Sequence, residues 1–115
     1  MEKDKAYILH VLDAIADIEE FTKGFDRDHF VDATNKLVQN AVIREFEIIG
    51  EAVKNLSDEL KLRHPGLPWR DITVMRNKRI HDYFSVNLSV VWKTIERDLI
   101  LLRKAMETLA KDLEG

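Results

Sequence analysis

The clearest pattern in the chain is a seam of apolar residues near its C-terminus. The spacing within the seam alternates between four and three residues, with charged residues in between. Its members are Leu88, Trp92, Ile95, Leu99, Leu102, Met106, Leu109 and Leu113. Because an α-helix makes one turn every 3.6 residues, this spacing places all of them on one side of a helix. The pattern predicts one long amphipathic helix, and Asn87 just before it is a candidate N-cap.

The first half of the chain predicts two further helices. Ile8, Val11, Ile15 and Ile18 form a shorter seam of the same kind, which Gly24 ends. A second helix is expected from Asp28, as its N-cap, to about Leu56. Its apolar residues lie along two neighbouring lines, which are Val31, Val38, Val42, Ile49, Val53 and Leu56, and Phe30, Leu37, Ala41, Ile48 and Ala52. A stripe this wide predicts a central helix with more than one partner.

The remaining segments predict short elements. Ser57 can cap a further helical turn, whereas two prolines and a glycine make His64–Pro68 a loop. Trp69 then begins a short helix, and no segment has the alternation of a β-strand. The sequence therefore predicts an all-α fold, an up-and-down bundle of four or five helices in a single domain that covers residues 1–115.

Composition limits the classes of function. A chain of 115 residues is long enough to bury a core of its own. It contains no cysteine, which excludes a thiolate metal site and a cysteine nucleophile. Its histidines lack metal-ligand spacing, so neither a metal nor another cofactor is expected. Apolar runs are too short for a membrane span or a signal peptide, and the simplest expectation is a cytoplasmic protein.

Charge is distributed unevenly. Between Lys61 and His81 the chain has six Lys or Arg against one acid, a formal charge of +5, although the net charge of the whole chain is −3. A positive patch on a negative protein attracts and orients polyanions. The alternative interpretation is that these basic residues form an ordinary solvated face of a helix.

The side chains suited to catalysis are concentrated in this basic stretch. Within about two helical turns, segment 75–84 contains Arg76, Asn77, His81 and Tyr83. At about 100° per residue, Arg76 lies about 20° from Trp69, on the apolar side of the short helix. A guanidinium there needs a partner or a polar cavity.

Two interpretations of Arg76 stay open at this point. It either forms a structural salt bridge with Glu47 or Glu51, or it is an active-site arginine that faces a second subunit or a phosphate. His81 lies about 140° from Arg76 on a regular helix. Either the helix is distorted, or a two-fold dimer completes the site with a second copy of the motif. An isolated histidine at a helix end can also be merely solvated.

Together these residues resemble a known family. Arg76, Asn77, His81 and Tyr83 have the spacing of the R-x4-H-x-Y signature of HepT-like toxins, in the HEPN superfamily of all-α ribonucleases. The segments around the motif are similar too: Ile48–Ala52, Pro68–Ile72, Tyr83–Phe84 and Val91–Trp92. The resemblance extends from about Ile8 to Leu109.

The resemblance implies a metal-independent endoribonuclease that is a homodimer, with the two motifs meeting near the motif helix. RNA cleavage without a metal uses the ribose 2′-OH as nucleophile and needs a base, an acid and a cation. Two copies of His81 would share the acid and base roles, and Arg76 would clamp the phosphate. Asn77 would orient His81 or a phosphate oxygen. Arg70, Lys78 and Arg79 would bind the RNA backbone, with Glu51 as a supporting partner of an arginine.

The resemblance also implies a partner. HepT-like toxins are encoded beside a minimal nucleotidyltransferase antitoxin, which transfers AMP to the tyrosine of the motif, here Tyr83. Without that resemblance, Tyr83 reads as an amphipathic residue at the edge of the core. The alternative function is a non-catalytic helical module that binds a nucleotidyltransferase or a nucleotide. The sequence does not identify the RNA target.

Overall fold

The computed structural model describes residues 2–70 and 88–114, and both ranges are helical throughout most of their length. The α-helices are α1 (Glu2–Phe21), α2 (Arg27–Val31), α3 (Lys36–Lys54), α4 (Asp58–Arg63) and α5 (Leu88–Glu114). A short 3₁₀ turn, Ala33–Asn35, precedes α3. These ranges contain no strand, which confirms the all-α helical bundle.

The two seams predicted for α1 and α5 are confirmed. Ile8, Val11, Ile15 and Ile18 are almost completely buried, and so are Leu99, Met106 and Leu109. Past the end of α1, Gly24 has a φ of 81°, a backbone conformation that favours glycine and turns the chain away from the helix axis. The buried sides of α1 and α5, and the turn that follows α1, therefore agree with the apolar spacing.

The predicted helix Asp28–Leu56 is wrong in its first part, because the chain leaves the helix at Asp32. Asp32 is extended, and its carboxylate accepts hydrogen bonds from the backbone amide and hydroxyl of Thr34 at 2.8 and 2.7 Å. This local bonding competes with helical hydrogen bonds. The amide of Gln39 donates to the carbonyls of Phe30 and Asp32 at 2.7 and 2.8 Å, which stabilises the break. The result is two helices, α2 and α3.

Two details of that prediction also fail. The N-cap of α2 is Asp26, whose carboxylate accepts from the amide of His29 at 2.9 Å, and not Asp28. Leu37, a member of one of the two predicted apolar lines, is 84% exposed. Among the described helices, α1 packs against both α3 and α5, and α2 packs against α5.

Helix α4 and the loop after it are as predicted. Ser57 caps α4 by accepting from the amide of Leu60 at 3.2 Å, while its own amide and hydroxyl donate to the buried carboxylate of Asp4 at 2.7 and 2.6 Å. These bonds fasten the start of α1 to the start of α4. Residues 64–68 are not helical, and the chain is helical again at Trp69 and Arg70.

The N-terminal part of α5 packs on α2. The rings of Phe30 and Trp92 lie 5.4 Å apart at an angle of 33°, a contact that adds to the burial of both side chains. Arg103 of α5 forms an ion pair with Glu19 of α1. No helix within residues 2–70 and 88–114 is long and apolar enough to span a membrane.

Candidate functional site

Most of the residues that the sequence singles out lie outside the described ranges. These are Arg76, Asn77, Lys78, Arg79, His81 and Tyr83, and the predicted N-cap Asn87 lies outside them as well. The structure places Arg70 and Glu51. Arg70 is exposed and helical, next to Trp69. Glu51 is exposed on α3 and lines a cavity between helices, so it faces a concave surface.

The loop that follows α4 is held by the end of α5. Asp112 accepts from Arg63 at 2.5 Å and lies 2.9 Å from Nε2 of His64. The carbonyl of His64 in turn accepts from the indole N–H of Trp69 at 3.0 Å. Asp112 thus links the C-terminus of α4, the loop and the first residue of the next helix. This arrangement fixes the path of the chain from the end of α4 to Trp69.

A cavity of about 410 Å³ lies between α1 and α3. Among the described residues, its polar lining includes Tyr7 and His10 from α1, Arg44, Glu47 and Glu51 from α3, and Asn55, which caps the end of α3. Ile48 and Ala52 add apolar surface. The volume is within the range of cavities that bind small organic ligands or a single nucleotide, roughly 300–1,000 Å³.

The lining groups are arranged as an aromatic part and a hydrogen-bonding part. The rings of Tyr7 and His10 are 6.2 Å apart and nearly perpendicular, at 83°. The side-chain amide of Asn55 donates to the carbonyl of Glu51 at 3.0 Å and more weakly to its carboxylate at 3.4 Å. Asn55 therefore restrains Glu51 at the edge of the cavity, and Arg44 contributes the opposite charge.

Sequence reasoning missed most of this cavity. Arg44, Glu47, Glu51 and Asn55 recur every three or four residues, which marks one polar face of α3. Such a face is usually solvated, so its spacing alone does not identify a cavity. The aromatic residues that complete the lining belong to a different helix. Only the packing of α1 on α3 brings the two groups together.

A second unexpected feature is a buried carboxyl group on α3. Glu45 is only 8% exposed, and its Oε2 is buried without a hydrogen-bond partner. Burial, followed by the neighbouring carboxyl group of Asp17 on α1, raises the pKa of Glu45 from 4.5 to about 7, although Arg44 acts in the opposite direction. Near neutral pH, Glu45 is therefore partly protonated, and its proton can be shared with Asp17.

Comparison with known proteins identifies the family. The model of the HepT-like ribonuclease family matches residues 11–109. The chain belongs to the HepT-like ribonuclease family. This match confirms the resemblance that the sequence motifs indicated. It covers α2 to α4 completely, most of α1 and α5, and the segment that contains Arg76 and His81.

Individual HepT-like relatives match over nearly their whole length. A protein of Thermococcus cleftensis named "Probable ribonuclease HepT" is 44% identical over 107 residues, which are 93% of this chain and 96% of the relative. A "Putative RNase" of Methanocaldococcus jannaschii is 36% identical over 96% of this chain and 90% of its own length. Another from Caldanaerobacter subterraneus is 37% identical over 95% and 96%. No solved structure matches the chain.

Proposed function

We propose that this chain is a metal-independent endoribonuclease that cleaves RNA by attack of a ribose 2′-OH. The observation that carries the proposal is the match to the HepT-like ribonuclease family over residues 11–109, which include the whole Arg76–Tyr83 motif. Two relatives whose names contain ribonuclease or RNase match over at least 90% of both chains, which supports the same reaction class. In such a reaction the protein supplies a base, an acid and a positive charge.

The motif contains side chains for each of these roles. Histidine side chains in general change charge near neutral pH, so one copy of His81 accepts the proton of the 2′-OH and a second copy protonates the departing 5′-oxygen. Arg76 binds the phosphate through two parallel N–H groups and stabilises the charge that develops on it. Asn77 orients His81 or a phosphate oxygen. Because Arg76 and His81 are about 140° apart on a regular helix, we place the site in the cleft of a homodimer.

Arg70, Lys78 and Arg79 are proposed to bind the RNA backbone on either side of the scissile bond. The exposed position of Arg70, where the chain becomes helical again, supports this part of the proposal. Contacts of this kind depend on salt, because each neutralised phosphate releases a counterion. We therefore expect RNA binding to weaken at high salt. In Arg70→Gln, RNA binding should depend less on the salt concentration.

We further propose that the protein is the toxin of a type VII-like toxin–antitoxin pair in the cytoplasm. Its partner would be a minimal nucleotidyltransferase that transfers AMP to the hydroxyl of Tyr83. The added nucleotide carries negative charge and bulk, two residues from His81, where an RNA phosphate has to bind. Intact-mass measurement of protein produced together with the partner tests this step, and Tyr83→Phe should prevent the mass increase.

The role that we propose for Glu51 is support of a motif arginine. The carboxylate lies on α3 within the lining of the cavity, and Asn55 restrains it. If Glu51 supports Arg76, Glu51→Gln lowers cleavage at all sites in an RNA to the same extent. An unchanged rate and unchanged stability would exclude this role.

The experiment that tests the enzymatic proposal compares three proteins on one RNA. Wild type should cleave, whereas His81→Ala should lose about 100-fold or more of the rate, as expected for loss of a general acid or base. His29→Ala is the matched control, since His29 is exposed on α2 and its backbone amide still donates to Asp26 when the 2.9 Å contact of its ring with Asp26 is removed. Equal cleavage by wild type and His81→Ala contradicts the proposal. Stable binding of the nucleotidyltransferase without any cleavage by wild type favours the non-catalytic module.

A further inference from the structure

We propose that the outward side of α5 binds the phosphate backbone of single-stranded RNA. This inference rests on the proposed ribonuclease function, and it extends the RNA-binding surface to a second helix. Four exposed basic residues carry it, and we call them the basic line: Lys93, Arg97, Lys104 and Lys111. At about 1.5 Å per residue, the basic line is about 27 Å long, so it can contact several phosphates of one strand.

The basic line faces directly away from the core of the bundle. At about 100° per residue, its four members fall within about 40° of one another. Leu102 and Met106, which are buried, lie on the opposite side of the same helix. Ile100 and Leu101 are exposed in the middle of the line and separate its cations without adding a negative charge. The line is therefore accessible to a ligand along its whole length.

The cations of the basic line are not used in ion pairs of the bundle. Arg27, Arg63 and Arg103 each pair with a carboxylate, whereas no ion pair among residues 2–70 and 88–114 includes a member of the line. Lys93 and Arg97 are four residues apart, a spacing at which like charges destabilise a helix. This part of the line thus lowers the stability of α5, and a bound polyanion offsets that repulsion.

Acidic residues of α5 lie beside the basic line and not within it. Each is about 40–100° around the helix from the nearest member of the line. They are Glu96, Asp98, Glu107, Asp112 and Glu114. The flank with Asp112 contacts Arg63 and His64, where the positively charged segment Lys61–His81 begins. The basic line therefore runs towards the other basic part of the chain.

The charge of the whole chain supports a polyanionic ligand at this surface. Removing the +5 of segment Lys61–His81 and the +4 of the basic line from the net charge of −3 leaves −12 for all other residues. A polyanion is attracted to the two basic regions and repelled elsewhere, which orients it on the protein. The line contains no aromatic side chain for stacking, so we expect contacts to phosphates and no base preference.

The test measures binding of a non-cleavable RNA to the full chain by fluorescence anisotropy at several salt concentrations. The probe is a 2′-O-methyl oligonucleotide of mixed sequence, because it lacks the 2′-OH that the proposed reaction uses. The variant with Lys93→Gln, Arg97→Gln and Lys104→Gln should reduce the slope of log K against log salt by about 2, since each phosphate contact contributes about 0.7. Between about 50 and 200 mM salt, wild type should lose about 20-fold more affinity than this variant.

A matched control removes the same charge from another helix. Lys3→Gln, Lys5→Gln and Lys23→Gln change three exposed residues in and just after α1, and the slope should change by less than about 0.5. Urea unfolding should show no loss of stability in either triple variant, because no ion pair of the bundle is removed. An equal change of slope in both triple variants would mean that net charge alone acts, which overturns the inference.

Cleavage of unmodified RNA separates this inference from the proposed function. In the α5 variant we expect a higher KM for a long RNA and an unchanged kcat. Equal salt slopes in wild type and the α5 variant overturn the inference and leave the nuclease proposal intact. A reduced slope in the α5 variant, with no cleavage of any RNA by wild type, overturns the nuclease proposal alone. If the α5 variant binds RNA normally but loses the nucleotidyltransferase, the surface belongs to an acidic protein partner and the inference is wrong.

Discussion

Replacing Glu45 with glutamine should stabilise the protein by an amount that grows as the pH rises from about 5 to about 7. The buried carboxyl group of Glu45 faces Asp17, and its pKa is raised to about 7 from an ordinary value of 4.5. An unfolded chain releases this proton near pH 4.5, whereas the folded protein keeps it until about pH 7. Between these values the folded state binds more protons, so its free energy of unfolding falls as pH rises.

The magnitude follows from the two pKa values. The pKa of Glu45 is about 7 in the folded protein and 4.5 in the unfolded chain. This difference lowers the free energy of unfolding by at most about 3 kcal/mol once the pH is well above 7. Glutamine has nearly the same shape, carries no charge, and can donate a hydrogen bond to Asp17 as protonated Glu45 does. We therefore expect Glu45→Gln to exceed wild type by about 2–3 kcal/mol at pH 8, equivalent to about 10 °C in Tm for a chain of this length.

The assay is urea unfolding followed by circular dichroism at pH 5, 6, 7 and 8. The difference between Glu45→Gln and wild type should be about 1 kcal/mol or less at pH 5, should grow most steeply up to pH 7, and should change little between pH 7 and pH 8. Glu20→Gln removes an exposed carboxylate of α1 and serves as control, with a difference below about 0.5 kcal/mol at every pH. A difference for Glu45→Gln that does not change with pH would refute the linkage between Glu45 ionisation and folding.

Three further substitutions test the contacts that position the bundle. Gln39→Leu removes the donor to two backbone carbonyls at the break between α2 and α3, and should lower the free energy of unfolding by about 1–3 kcal/mol. Ser57→Ala removes the cap of α4 and a bond to the buried Asp4, with an expected loss of about 1–2 kcal/mol. Asp112→Asn weakens the link to His64 and should cost about 1 kcal/mol or less, because the pair is partly exposed.

Urea unfolding at pH 7 measures all three effects, with Glu107→Gln as an exposed control. A loss below about 0.3 kcal/mol in Gln39→Leu would show that other groups satisfy the carbonyls at the break. A loss below about 0.3 kcal/mol in Ser57→Ala would contradict the role of Ser57 as the N-cap of α4. A loss of several kcal/mol in Asp112→Asn would mean that this carboxylate is less exposed to solvent than the structure shows.

The long helices could be predicted from the sequence because each presents one apolar side to the core. In α5, Trp92, Leu99 and Leu109 follow the helical period, and burial agrees with it. The break at Asp32 could not be predicted in the same way. Phe30 and Val42 are both fully buried on either side of it, so the apolar pattern continues although the backbone does not.

The candidate site residues also fall into two groups, those that local spacing predicts and those that only tertiary packing reveals. Local spacing was sufficient to single out Arg76 and His81 and to indicate the family, because the motif is contiguous in the chain. The cavity and the Asp17–Glu45 pair depend on contacts between α1 and α3, which no local pattern encodes. A glutamate within a helix is normally expected in solvent. The burial of Glu45 is visible only after α1 and α3 pack together.

The reaction itself can be tested in one measurement, the products formed from RNA in the presence of excess EDTA. Our account predicts that wild type cuts the RNA without added metal, leaves 2′,3′-cyclic phosphate ends, and fails at a position where the scissile nucleotide is 2′-deoxy. Cleavage that EDTA abolishes, or that proceeds equally well at the 2′-deoxy position, would contradict it.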